Sequence, residues 1–366
     1  MLLNDNKEEI KQNYKLFEVT ETNYQCDWHY YTEQYRKTVL SITQEGSKCI
    51  YQINCRFRPF LFFIRHYFEL LLKSKLINPP SSHTFSEIYK CYILEGLFIP
   101  QEIKNAISII DVDLDGSCYR YFEDKEGNYY FKNQDRFEIF KLFELYNELP
   151  DNNIFKQEIC NIKSFDNKTK WEFTGHLSEI YTNEQLRTQY DLTLELFIKL
   201  IITKSVRIDD IFLPFLFLIR HSLELALKGN IKKILIIETN VDEMNKKIQK
   251  LKEVHSLATL YNIYSKYLQQ LNFSNLDSNL KNQYDDYVKN YEKLNDAIHC
   301  LDSNSRNFRY PIERKINLKQ DTILNTLELY YFTDTFITFT VDILKEYEVI
   351  PFSEEELMKL YGYDNN

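Results

Sequence analysis

The sequence predicts a mostly α protein: two homologous helical domains in tandem, in a pseudo-two-fold arrangement, with minor β hairpins. Three observations predict it. One stretch occurs twice: RPFLFFIRHYFELLLKSKL at 58–76 and LPFLFLIRHSLELALKGNI at 213–231 match at 11 of 19 positions without a gap. Breakers are few, 7 Gly and 8 Pro in 366 residues, which suits long helices better than many short strands. The repeated stretch is apolar round most of a helical wheel, as a central buried helix is.

The elements follow in order. Residues 1–25 are polar and read as an irregular or strand-like lead-in. Residues 27–44 form an amphipathic helix, with a break expected at Gly46-Ser47. The first copy follows, closed by Asn78-Pro79-Pro80. Ser82 is a candidate N-cap for the helix SEIYKCYILEGL, and another helix starts after Pro100. Residues 111–131 read as an irregular segment with a hairpin around Glu126-Gly127-Asn128, and 134–148 as helix. Residues 151–180 are the linker, with a short strand in KTKWEFTG. The second half repeats the order: a helix over 183–204, the second copy over 207–231, a Lys/Asn/Glu-rich stretch to 254, and a helix opened by His255. A charged helix over 281–299, an irregular stretch over 302–314 and a long helix over 320–347 complete it. The domains are therefore 1–150 and 181–366.

The correspondence extends past the central stretch. His83 matches His255, and Asp113…Tyr119-Arg120-Tyr121 matches Asp302…Phe308-Arg309-Tyr310. The offset grows from 155 to 172 to 189, so the second half carries insertions, which surface loops accept at small entropic cost.

Composition excludes several classes. A net charge of −9 opposes broad nonspecific duplex binding, which needs phosphate neutralisation. Seven Cys without a CxxC pair read as reduced thiols of a cytoplasmic protein. The start resembles no signal peptide and no long uncharged apolar run occurs, so no membrane association is expected. No GxxxxGK[ST], GxGxxG or HExxH is present, so neither cofactor nor metal is expected. Asp111, Asp113, Asp115 and Gly116 resemble the start of a calcium loop, but Phe122 stands where a glutamate should; a solvated acidic turn is the better reading.

The polar residues of the repeated helix share one stripe. Arg220, Glu224 and Lys228 are spaced i, i+4, i+8, and His221 stands i+3 and i+7 from the last two. The first copy repeats this with Arg65, His66, Glu69 and Lys73. Buried charge costs several kcal/mol per ion unless paired. Asp113 and Asp302 are the candidate partners for the surplus cation, with His83 and His255 beside them. Such a stripe suits phosphate: Arg and Lys hold a phosphodiester, and His transfers protons near neutral pH. Two stripes facing each other would make a composite site. It equally suits an internal ion network that fixes how helices dock.

A helix of the form RHxxELxLK, a later His, and Asp…[FY]-R-Y, in an Asn/Lys/Ile-rich helical chain, resemble the HEPN superfamily. The resemblance implies all-helical domains that dimerise, many of them RNases of toxin, abortive-infection and CRISPR systems. It implies an anti-phage defence role in a prokaryote, RNA or a protein partner (a phage component or a defence-system subunit), and homo-oligomers. The superfamily's catalytic Arg-x4-6-His spacing is absent, since Arg65-His66 and Arg220-His221 are adjacent. Two classes therefore stay open. One is a metal-independent endoribonuclease, with Arg65, His66, Arg220 and His221 catalytic. Glu69, Lys73, His83, Asp113, Arg120, Tyr121, Glu224, Lys228, His255, Asp302, Arg309 and Tyr310 would then bind phosphate or support the site. The other is a non-catalytic helical sensor or interaction module whose stripes are structural.

Overall fold

The computed structural model describes residues 2–19, 27–49, 51–131, 136–138, 174–176, 180–236, 240–270, 278–302, 307–311 and 321–346. The architecture is mostly α-helical. The lead-in departs from expectation: α1 spans Leu2–Gln12. Its Glu and Lys residues are good helix formers, and Lys11 pairs with Glu8 one turn earlier at 2.7 Å. A 3-10 turn over Tyr14–Phe17 then buries Phe17.

Helix α2 spans Trp28–Lys48 and starts where Asp27 accepts a hydrogen bond from the Tyr30 amide at 2.8 Å. It runs straight through Gly46, where a break was expected. A Cβ at Gly46 would lie 2.1 Å from the tip of Ile53, so the glycine serves close packing against α3 (Tyr51–Asn54). Helix α4, Phe57–Lys73, follows at once and buries every residue except Leu71. Pro59 sits in its first turn, where no intrahelical donor is lost. Helix α5 (Phe85–Leu94) has Thr84, not Ser82, at its cap position, while Ser82 Oγ accepts from the Thr84 amide at 3.3 Å. Helices α6 (Gln101–Ile110) and α7 (Ser117–Arg120) lead into the expected hairpin. There Glu123 bridges Tyr129 and Gly127 takes φ 93°.

Two three-residue strands, β1 (Arg136–Glu138) and β2 (Thr174–His176), pair antiparallel, with Arg136 opposite His176. The helix expected over 134–148 is thus a strand at 136–138; its other positions lie outside the described residues. The strand expected in KTKWEFTG is met at Thr174 and Gly175, and Lys168–Phe173 lie outside. Of the linker, only 174–176 and 180 are described.

The second half builds α8 (Asn183–Ile202), α9 (Ile208–Leu235), α10 (Val241–Glu253), α11 (Leu257–Gln270), α12 (Ser278–Lys293), α13 (Asn295–Asp302) and α14 (Thr322–Glu346). Pro214 lies inside α9 and interrupts its ladder. The Gln34 side chain of α2 reaches across, donating to Asp209 O at 2.5 Å and accepting from the Leu213 amide at 3.4 Å.

Four helices form the centre. Helix α2 packs on α4 and α9, and α8 packs on α9 and α4. The two halves therefore interleave. Helices α5, α6 and α7 flank α4, while α11 and α14 flank α9. Among the described residues no helix is long and apolar enough to cross a membrane. Cys49, Cys55, Cys91, Cys118 and Cys300 are free thiols.

Candidate functional site

Both stripes fold into clusters of matching design. In the first, Glu69 is the hub. Lys73 Nζ lies 2.9 Å from its Oε1 and Arg65 Nη1 3.3 Å from its Oε2, each one helical turn away. His83 Nδ1 approaches Oε1 at 2.9 Å, and the Tyr310 hydroxyl donates to Oε2 at 3.1 Å. In the second, Glu224 is held by Lys228 at 3.0 Å, Arg220 at 2.9 Å, His255 Nδ1 at 2.9 Å and the Tyr121 hydroxyl at 3.0 Å. Arg65 Nη2 also donates to His83 O, and Arg220 Nη2 to His255 O.

The tyrosines come from the opposite half. Tyr310 belongs to the second repeat and closes the first stripe, while Tyr121 belongs to the first repeat and closes the second. The histidines follow the same rule. His66 Nε2 donates to Arg309 O and His221 Nε2 to Arg120 O, both at 2.8 Å; a carbonyl only accepts, so each Nε2 carries the proton. The first Asp…Arg-Tyr segment does pack beside its own helix, with Arg58 donating to Cys118 O and Arg65 to Leu114 O, but its Arg120 carbonyl and Tyr121 reach the opposite stripe.

Three further groups in this exchange escaped the sequence reading. The Tyr35 hydroxyl donates to Phe308 O and the Tyr190 hydroxyl to Tyr119 O, both at 3.1 Å. Gln189 Oε1 accepts from the Arg58 amide at 2.8 Å, as Gln34 accepts from Leu213. Phe62 and Phe217 stack at 4.6 Å, with His66 stacked on Phe62 at 5.5 Å and His221 on Phe217 at 5.6 Å. A usable signal existed: Gln34-Tyr35 and Gln189-Tyr190 are one dipeptide 155 residues apart, the offset of the central copies.

Asp113 does not take the role expected. Asp113 accepts from the Gly116 and Cys118 amides, both at 2.8 Å, and so shapes the turn before α7. Asp111, not Asp113, is the carboxylate that approaches Arg65, at 3.7 Å. Gly116 takes φ 72°, and a Cβ there would lie 2.9 Å from Arg65 Cδ. The Asp302 side chain lies outside the described residues. Arg120 donates to Ser117 Oγ at 2.9 Å and lies 3.7 Å from Asp115. Arg309 lies 5.4 Å above the Tyr310 ring; burial and the charge of Arg120 push its pKa down.

Electrostatics fix the protonation states. Burial pushes His66 and His221 down to about 3, against the smaller upward pull of Glu69 and Glu224. Both imidazoles are neutral near pH 7. Burial alone would raise Glu69, but the hydrogen bond from His83 and the nearby cations hold it below the usual carboxylate range. Glu224 is likewise held well down, through Lys228, His255 and Arg220. His66 and His221 are 2% and 1% exposed. Neither ring can exchange a proton with a bound substrate without opening the cluster. Chemically, then, the stripes can bind one carboxylate each and lock helices together.

Comparison with protein-family models, with curated proteins and with solved structures finds no match for this chain.

Proposed function

We propose that this protein is a non-catalytic helical binding module, built from two HEPN-like repeats about a pseudo-two-fold axis, with its Arg-His-Glu-Lys stripes as internal fastenings. One observation carries the reading: His66 and His221 are buried and each spends its Nε2 proton on a backbone carbonyl of the other repeat. A general acid or base needs the opposite, a titratable ring within reach of substrate. Within the HEPN resemblance this corresponds to a sensor or scaffold with a protein partner.

An uncovered apolar surface supports the binding part. Ile93, Leu94 and Phe98 are 76–85% exposed, and Ile77, whose amide donates to Glu95, is 83% exposed. In the second half α12 covers the corresponding face of α11, through Ser265–Tyr287 at 3.0 Å and Asn262–Tyr291 at 3.2 Å. Ile93, Leu94 and Phe98 fall within one short stretch of chain, and apolar exposure gathered in a patch marks interaction surfaces.

The test is an RNA-degradation assay in EDTA, with total RNA and tRNA, on wild type and His66→Ala/His221→Ala. The expected result is no cleavage by either protein, with a marked loss of thermal stability in the variant. Cleavage by wild type that vanishes in a variant still folded at the assay temperature would overturn the reading in favour of the endoribonuclease.

A further inference from the structure

The second stripe ends at a pocket. It is a cavity of about 100 Å³, partly open to solvent, between the 121–130 hairpin and α9–α10. Lys228, Lys232, Lys252 and His255 line it, with Tyr121 and Glu123. Its walls carry four lysines (125, 228, 232, 252) against two carboxylates, Glu123 and Asp124. Lysine and carboxylate alone give a local excess of two positive charges, on a chain whose net charge is −9. Counting the groups behind the wall leaves the excess unchanged, because Arg220 offsets Glu224.

The internal network does not require this charge. The first stripe closes round Glu69 with the same four partners, yet the residue four positions after its lysine is Ile77, beyond the end of α4, where the second copy has Lys232 inside α9. Lys232 and Lys252 instead converge on one carboxylate, Glu123, at 3.2 and 3.0 Å. Each ammonium has three hydrogens, so both keep donors for a further acceptor. Lys228 is 6% exposed at its side chain, already pinned by Glu224 and Lys252 O, the latter at 3.2 Å. His255 is held by Glu224 and the Tyr121 hydroxyl while 45% of its side chain stays exposed. The cations are thus oriented before any ligand arrives, which lowers the entropic cost of binding.

We infer that this pocket binds a phosphate-type anion, either free phosphate or the phosphate of a small ester. Lys228, Lys232 and Lys252 would supply charge-assisted hydrogen bonds, His255 would line the entrance, and Glu123 is the internal competitor the anion displaces. The volume of about 100 Å³ is below that of pockets for drug-sized ligands and suits an anion as small as phosphate, with the rest of an ester left in solvent. The inference does not depend on the stripes being structural.

Calorimetric titration of the full chain at low ionic strength, with inorganic phosphate and with adenosine 5′-monophosphate, tests it. Saturable binding of at least one is expected. Tighter binding of the nucleotide assigns the pocket to an ester; equal or better binding of phosphate assigns it to the free anion. Lys232→Ile/Lys252→Gln, which gives position 232 the first repeat's own residue, should weaken binding by about tenfold or more. Glu123→Gln should tighten it, a direction that a merely structural salt bridge would not produce. Absence of saturable binding to both anions, or affinities unchanged in Glu123→Gln and in the lysine variant, would overturn the proposal. Should the lysine variant fail to fold, Glu123→Gln decides alone.

Discussion

Phe62 and Phe217, the same position in two copies of one helix, lie face to face with ring centroids 4.6 Å apart and planes 19° from parallel. The contact joins α4 to α9 and continues at each end into a stacked histidine, so four rings run in series through the centre of the molecule. Both phenylalanines are at most 3% exposed.

Truncating either ring should therefore be costly. Phe62→Ala and Phe217→Ala are each expected to lose about 3–5 kcal/mol of unfolding free energy in urea titrations. The double variant should lose less than the sum, by about 0.5–1.5 kcal/mol, because the pair shares one contact. Strict additivity would show that the two rings do not stabilise each other.

The exchanged tyrosines provide a matched pair. Tyr310→Phe removes a donor from Glu69 and Tyr121→Phe removes one from Glu224. Each should cost about 1–3 kcal/mol, the range for a hydrogen bond to a buried charged group. Similar losses at both sites are expected in denaturant melts. A loss at one site only would mean that the matching geometry hides unequal energetics.

Acid should destabilise the protein earlier than carboxylates alone would. His66 and His221 stay neutral in the fold down to about pH 3 but take up protons near pH 6.5 when unfolded. Between those values the unfolded state binds more protons, so stability falls as pH falls. Glu69 and Glu224 act in the same direction from about pH 4.5 downward, since their pKa values are lowered in the fold. Melting temperatures measured from pH 7.5 to 5 should drop steadily. His66→Gln/His221→Gln should start lower and show a flatter profile over that interval. An unchanged slope in the variant would assign the acid sensitivity elsewhere.

Gly46 is a test of packing rather than of backbone freedom. Gly46→Ala places a methyl where Ile53 sits, and overpacking of this kind costs about 1–3 kcal/mol. Gly46→Ala/Ile53→Val should recover part of the loss, as read by thermal melting. No loss in the single variant would return Gly46 to the role of an ordinary helix residue.

Much of the fold was legible because helical periodicity and duplication are local signals. The stripe residues Arg65, Glu69 and Lys73, and their counterparts, are neighbours by spacing alone, and they meet as read. The exchange of Arg120-Tyr121 and Arg309-Tyr310 was not legible. His66 and Arg309 are 243 positions apart, and no periodicity says whether a segment docks on its own repeat or the other. Asp113 was misassigned because a carboxylate near a buried cation attracts a salt-bridge reading, whereas short loops make aspartate a turn-former first. Gly46 was misread as a stop for a similar reason: its neighbour Ile53 lies seven residues ahead, beyond the reach of a local rule. At the pocket, Lys232 and Lys252 lie 20 residues apart in a Lys/Asn/Glu-rich stretch, and only the hairpin's Glu123 brings them to one point.

The exchange also decides how the chain can be divided. A fragment ending near residue 150 would keep Glu69, Arg65 and Lys73 but lose Tyr310, the Arg309 carbonyl and the Phe217 ring. A second copy of such a fragment could restore them only by meeting it in solution. In the intact polypeptide the tether makes that meeting intramolecular, at an effective concentration set by the connecting segment. Unfolding of either repeat therefore strips the other of these partners, as in a dimer whose subunits share one chain.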